Sequence, residues 1–356
     1  MINRQSMVRG AVVLAGIAIL AVGGVLVAGR HTSRPVASGP VATTPPAPSS
    51  ATGPSGGASP TTRAATPPET TSKAAAPPTF FVAQTDRYAV QQAVALFATA
   101  TGQPVRYLTP EQPGGGPSSP LLDPPGKSVV YVAGAGTCAS DIYRVAVDGQ
   151  STPELLVRGS SGPVLEPAIA PAGDEIAYVQ SHCDSAVAEL VVRRLTGGAR
   201  AVVLYPATQG EGVSMVRWGR NGWLSFLTTQ GPNRRLHTMT ATPGGRVYSS
   251  QPAPTGCFWS GAAWFVAAGQ DRLLASQQCG AGSRWLVLDR RLGTVQALAA
   301  FGNQLGAQAI SVDATGTWVI YQENGVSIAG TIWRWRLGSS SRPQRVAQGP
   351  YSPSWR

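Results

Sequence analysis

The chain has 356 residues, a formal net charge of +11 and only three histidines. From Thr79 onward 22 basic residues stand against 16 acidic ones, and no basic run is interleaved with aromatics, which argues against a nucleic-acid-binding surface. Of the basic residues 26 are Arg and two are Lys, which with the Ala, Gly and Pro bias points to a GC-rich genome.

Residues 1–9 carry Arg4 and Arg9, and residues 10–29 form an uninterrupted run of twenty apolar residues. That length crosses a bilayer as a helix. Ala28 and Gly29 make a weak cleavage signal, and no cysteine lies close behind to carry a lipid. We therefore expect a cytoplasmic tail over 1–9 and one uncleaved transmembrane signal-anchor helix over 10–29. Arg30 and Arg34 nearly balance Arg4 and Arg9, so the flanking charges leave the orientation to be argued from the downstream segments.

Residues 30–78 are dominated by Pro, Ala, Ser, Thr and Gly, with Glu69 as their one acidic residue. Such a segment cannot bury a core and reads as a disordered linker. Extended at roughly 3.1 Å per residue, it reaches on the order of 150 Å, enough to hold a domain clear of the membrane within the cell envelope. Its Ser/Thr and Pro content also permits O-glycosylation.

Residues 79–356 repeat. The glycine before each second strand falls at Gly126, Gly173, Gly222, Gly269 and Gly316, in steps of 47, 49, 47 and 47. A second marker, between third and fourth strands, falls at Gly102, Gly149, Gly198, Gly245, Gly293 and Gly338, in steps of 47, 49, 47, 48 and 45. Between the markers lie short runs rich in β-branched and aromatic residues, such as Glu175 to Tyr178 and Leu190 to Arg193. These are too short for stable helices and read as strands. Four-stranded units at this period arranged radially make a β-propeller, with a coincidentally spaced β-sandwich as the alternative.

The two ends complete each other. Thr79 to Pro110 holds a second strand (Phe80 to Gln84), a third (Ala95 to Ala98) and a fourth (Val105 to Leu108), but no first. Pro353-Ser354-Trp355 matches the first-strand segments Pro167-Ala168-Ile169 and Pro120-Leu121-Leu122, and the chain stops just after it. We expect six blades, one sewn from both termini, which removes open sheet edges. The weak point is Asp86 to Ala100, which also reads as an Ala-rich helix; a helix there would leave five blades and an appendage.

Ile169-Ala170-Pro171-Ala172-Gly173-Asp174-Glu175-Ile176-Ala177-Tyr178 and Leu122 to Tyr131 resemble the W-S-P-D-G-x-x-I-A-Y repeat of TolB-type six-bladed propellers. The resemblance covers about residues 79–356. It implies an all-β propeller that serves as a binding platform for a protein or peptide partner in the envelope.

All four cysteines, Cys138, Cys183, Cys257 and Cys279, lie in the propeller. In a meander alternate turns share a face, and three cysteines sit in second-to-third turns while Cys257 sits in the link leading into its blade. All four therefore share a face. Of the three possible connectivities, we expect Cys138 with Cys183 and Cys257 with Cys279, in an oxidising compartment.

Chemistry is sparse. His31 lies in the linker, His182 in a turn and His237 in a strand, so a Ser-His-Asp arrangement is poorly supplied, and His237 reads as a satisfied strand histidine. No C-x-x-C pair is present, so no metal site is expected. On the cysteine face the links leading into the blades bring Glu166, Glu211, Trp259, Asn303 and Tyr351 toward a common mouth, with Arg217 just inside a first strand. These form the expected contact surface. Trp264, Trp318, Trp333 and Trp335 read as fillers between blades. We expect a non-enzymatic protein-interaction or ligand-binding module, without cofactor, single-pass in the cell membrane with its C-terminal domain outside the cytoplasm. The alternative is an envelope enzyme or sensor using the axial mouth for a carbohydrate, lactone or peptide, with calcium assisting.

Overall fold

The computed structural model describes residues 75–85, 91–110, 112–113, 116–136, 138–197, 200–242, 244–280, 282–301, 306–323 and 330–355. The tail, the anchor and the linker up to residue 74 lie outside them. Among the described residues every regular element is a strand, and no helix is long and apolar enough to cross a membrane.

Six four-stranded antiparallel sheets form the blades of a propeller. Blade 2 runs Ser118–Leu122, Ser128–Gly136, Ala139–Ala146 and Glu154–Val157, and blade 3 runs Val164–Ile169, Glu175–His182, Ser185–Arg194 and Val202–Pro206. Blades 4, 5 and 6 begin at Glu211–Trp218, Cys257–Ala267 and Ala307–Val312. Blade 1 is sewn as expected: the last strand, Tyr351–Ser354, pairs with Phe80–Gln84, with Val82 opposite Ser354 and Gln84 opposite Tyr351. Val94–Ala98 is a strand in register with Phe80–Gln84, which settles that part of the stretch in favour of six blades. Residues 86–90 are outside the described set. A two-stranded ribbon, Gln91–Gln92 with Gln112–Pro113, adds an element that the repeat pattern does not contain.

The turn glycines explain the period. Gly126, Gly173, Gly222, Gly269 and Gly316 all hold φ between 70° and 77°, where an L side chain is strained. At the first four a Cβ would meet nothing within 4 Å, so the dihedral, not crowding, demands glycine. The second marker is less regular. Gly102, Gly149 and Gly338 take positive φ, but Gly244 does so in place of Gly245, and Leu292 (φ 63°) in place of Gly293. At Gly293 the Asp289 carboxylate accepts the backbone N–H at 2.9 Å, so the turn is held by a side chain.

Each first strand is interrupted by a bulge. Five bulges place a non-glycine residue at φ 48–54°: Ser119, Glu166, Met215, Ala309 and Ser352. In blade 5 the register shifts between Trp259 and Gly261. A left-handed L residue costs about 1–2 kcal/mol. Its recurrence at equivalent positions shows that bending the innermost strand is part of building the ring.

The core consists of six clusters, each between neighbouring blades. Val130, Ile142, Ile169 and Tyr178 join blades 2 and 3, for example, and Phe81, Phe97, Ile320 and Trp355 join blades 6 and 1. Two disulfides lie at the far ends of the first and second strands. Cys138–Cys183 links blades 2 and 3, and Cys257–Cys279 links the first two strands of blade 5, the connectivity expected from the shared face.

Candidate functional site

The first strands converge on an axial cavity of about 230 Å³ at the ends where they turn into the second strands. The cysteine-bearing turns lie at the other ends. Every blade contributes one residue at an equivalent place: Leu122, Ile169, Trp218, Phe265, Val312 and Trp355. In five blades this residue stands four positions before the turn glycine. Arg217, Arg220, Trp264, Asp271, Ser311 and Asp313 also line the cavity.

The lining is locked by short-range bonds. Ser354 Oγ accepts the Leu122 N–H at 3.0 Å, and Ser311 Oγ accepts the Trp355 N–H at 3.2 Å and donates to the Trp355 carbonyl at 2.9 Å. The closing strand is thus fastened sideways to blades 2 and 6. The Trp264 ring lies over Gly219, where a Cβ would stand 3.0 Å from it. Glycine at 219 is a close-approach requirement. Two acidic side chains are already engaged. Asp313 accepts the N–H groups of Thr317 and Trp318 at 2.8 Å and the Thr315 hydroxyl, and Asp271 accepts from Asn221 Nδ2 at 2.7 Å.

Arg217 is a partly buried cation, with 18% of its side chain accessible. Its Nη1 donates to the Val216 carbonyl at 2.8 Å and stands 4.0 Å from Glu166 Oε2, beyond hydrogen-bonding range. Burial pulls the guanidinium below its usual range, while Glu166 pulls it back up.

The structure brings together two of the sequence-derived residues, Glu166 and Arg217, and gives the others separate surroundings. Glu211 accepts from the Tyr205 hydroxyl at 2.9 Å and the Thr208 N–H at 3.0 Å. Burial raises the Glu211 carboxyl, but hydrogen bonds from Thr208, Tyr205 and Thr228 outweigh it and hold the group low; burial and Glu211 push the Tyr205 phenol up to about 12. Trp259 is 1% exposed, with its indole donating to the Gln251 carbonyl at 3.0 Å. Tyr351 is 8% exposed and its hydroxyl accepts the Gly330 N–H at 3.1 Å. Both are buried rather than solvent-facing, and neither lines the cavity. Asn303 lies outside the described residues.

Reasoning from sequence favours the cysteine face and does not single out Trp218, Trp264 or Trp355 as cavity residues. The position four before each turn glycine is the signal that could have found them.

His237 is satisfied at one ring nitrogen only. Its Nε2 is 2.9 Å from Thr228 Oγ1, whereas Nδ1 is buried without a partner. Burial, then Arg235, lowers its pKa to about 4 against the opposing pull of Glu211, so the ring is neutral near pH 7.

The chain folds as a six-bladed β-propeller. No family model matches the chain, and no curated protein matches it by sequence. Among solved structures it is similar to TolB from Acinetobacter baumannii, at 16% identity and a TM-score of 0.59, over 78% of this chain and 66% of that one. The chain therefore spans just under two thirds of that TolB's length. A putative TolB from Agrobacterium tumefaciens matches at 10% identity and TM-score 0.54, covering 77% of this chain and 91% of its own. A nidogen/laminin complex also matches, at 13% identity and TM-score 0.52, over 77% of this chain and 97% of that one. At these identities the likeness is one of fold.

Proposed function

We propose that this chain is a membrane-anchored, extracytoplasmic propeller that acts as a non-enzymatic interaction or ligand-binding module of the cell envelope. The observation that carries the reading is the axial cavity, to which all six blades contribute and whose lining combines aromatic walls with one partly buried cation. Pockets built from several elements around few polar groups are the usual form of binding sites. Two disulfides favour an oxidising compartment, in keeping with a domain outside the cytoplasm. The carbonyl of Ala75 accepts from Trp318 Nε1 at 2.8 Å, at the start of a second strand, so the chain enters the propeller on the cavity face. A protein or peptide partner in the envelope fits this arrangement.

The test is photo-crosslinking of the full-length protein in its native cells. A photoreactive residue at Arg220, exposed on the cavity rim, should give a discrete adduct. The same residue at Val203, exposed on the outermost strand of blade 3, should give none. Equal labelling at both positions, or none at either, would overturn the reading.

A further inference from the structure

The axial cavity sets one partly buried cation, Arg217, among apolar and aromatic walls. Among the described residues, five Arg or Trp side-chain N–H groups are buried without an acceptor: Arg217 Nε and the indole nitrogens of Trp218, Trp264, Trp285 and Trp355. Four of these five belong to residues that line the cavity. The indole nitrogens have no accessible surface and are packed within the walls, which leaves the guanidinium, 18% of whose side chain is accessible, as the cation presented to the cavity. Among the described residues no carboxylate forms a hydrogen bond with the Arg217 guanidinium. Asp313 and Asp271 accept from turn and neighbouring groups, and Glu166 stops 4.0 Å short of the guanidinium. An arginine cannot shed its proton, so a partly buried guanidinium with one distant counter-charge favours an added anion. The surrounding walls, Leu122, Ile169, Phe265 and Val312, are apolar and leave space for one compact group.

We propose that the cavity binds a carboxylate carried on a compact apolar or aromatic stem, with Arg217 receiving the carboxylate. This rests on the reading of the propeller as a binding module and names what its cavity selects. The shared chemistry has two sources, a free small acid or the C-terminal carboxylate of a peptide ending in an apolar residue.

The experiment is calorimetry on the full chain in detergent with four probes: phenylacetate, phenylacetamide, acetyl-Ala-Ala-Phe as the free acid, and the same peptide amidated. At least one acid should bind, with its amide weaker by about ten-fold or more, the scale of one charge-assisted hydrogen bond. Binding of phenylacetate without the peptide assigns a small-molecule source, and the reverse assigns a chain terminus. Arg217→Gln should remove the acid-over-amide preference. Glu166→Gln, which deletes the competing carboxylate while keeping the side chain's shape, should tighten acid binding several-fold. Acids and amides binding alike, no probe binding, or looser binding in E166Q would overturn the proposal, and E166Q keeps the test open should R217Q fail to fold. Crosslinks from the Arg220 position that persist unchanged in R217Q and under excess phenylacetate would leave the interaction module standing while removing the carboxylate site.

Discussion

Replacing Cys138 and Cys183 by serine should lower the melting temperature of the propeller by about 7 °C. The bridge closes a loop of sequence separation 45, and the chain-entropy relation gives about 4 kcal/mol for a loop of that length. Unfolding entropy of about 2.1 cal/mol/K per residue makes roughly 0.6 kcal/mol/K for the propeller domain, hence the expected shift. The Cys257–Cys279 bridge, with separation 22, should contribute about 3.4 kcal/mol, or roughly 6 °C. Thermal melts by circular dichroism, comparing each serine pair with the oxidised wild type, check both values. The inter-blade staple tethers two sheets that the Val130–Ile169 cluster already joins, so its contribution belongs to the unfolded chain and not to new native contacts. A C138S/C183S protein melting within about 2 °C of wild type would refute the loop-entropy reasoning.

Trp355→Ala should destabilise the propeller by about 3–5 kcal/mol, because the ring is fully buried between blades 1 and 6; urea titration checks it, and a change under 1 kcal/mol would contradict the closing role, taking about 1 kcal/mol as the ordinary effect of a substitution. Gly219→Ala places a Cβ 3.0 Å from the Trp264 ring, and we expect a loss of about 1–3 kcal/mol together with altered tryptophan fluorescence. His237 has a folded pKa of about 4 against 6.5 in the unfolded chain, so the folded state disfavours its proton. Its contribution is complete above pH 6.5 and falls as pH drops from there to 4, by up to about 3 kcal/mol. His237→Gln should flatten that segment of the stability–pH curve, and an unchanged curve would sink the assignment. For the topology, protease added outside intact cells should reach a C-terminal tag, and deletion of residues 1–29 should leave the chain without membrane attachment. Protection of the tag would refute an outside propeller.

The ring is legible in the sequence because its period is enforced by backbone geometry. Five glycines share one left-handed turn, and no other residue type meets that need as readily. The closing strand is legible for a related reason: Pro353-Ser354-Trp355 is a first-strand sequence, and the blade that lacks one is the first. The pairing of the cysteines follows from turn parity, which sets all four on one face, together with their adjacency, Cys138 and Cys183 in neighbouring blades and Cys257 and Cys279 within one. The cavity is harder to read. Side-chain chemistry alone singles out Glu166, Glu211 and Trp259, yet the bulges decide how each first strand enters the axis, and residues such as Ser119 and Ala309 give no compositional sign of positive φ. Trp264 reads as a filler between blades; its place in the cavity depends on the missing Cβ of Gly219. The shifts from Gly245 to Gly244 and from Gly293 to Leu292 have the same origin, since a side-chain carboxylate or a one-residue offset can hold a turn that glycine marks only approximately.

The sewn blade sets an order of events for the chain. Val82 lies near the start of the propeller and Ser354 at its end, and the strand pair that joins them is the last that synthesis makes possible. Until Tyr351–Ser354 arrives, the strand Phe80–Gln84 has an open edge and Phe81 and Phe97 lack the cover of Trp355. Blades 2 to 6 each hold all four of their strands in one continuous stretch and can form as they emerge, whereas the ring cannot close. Were the propeller threaded through a membrane with residue 79 leading, its ring would close only after Tyr351–Ser354 had crossed, and closure would report that its passage was complete.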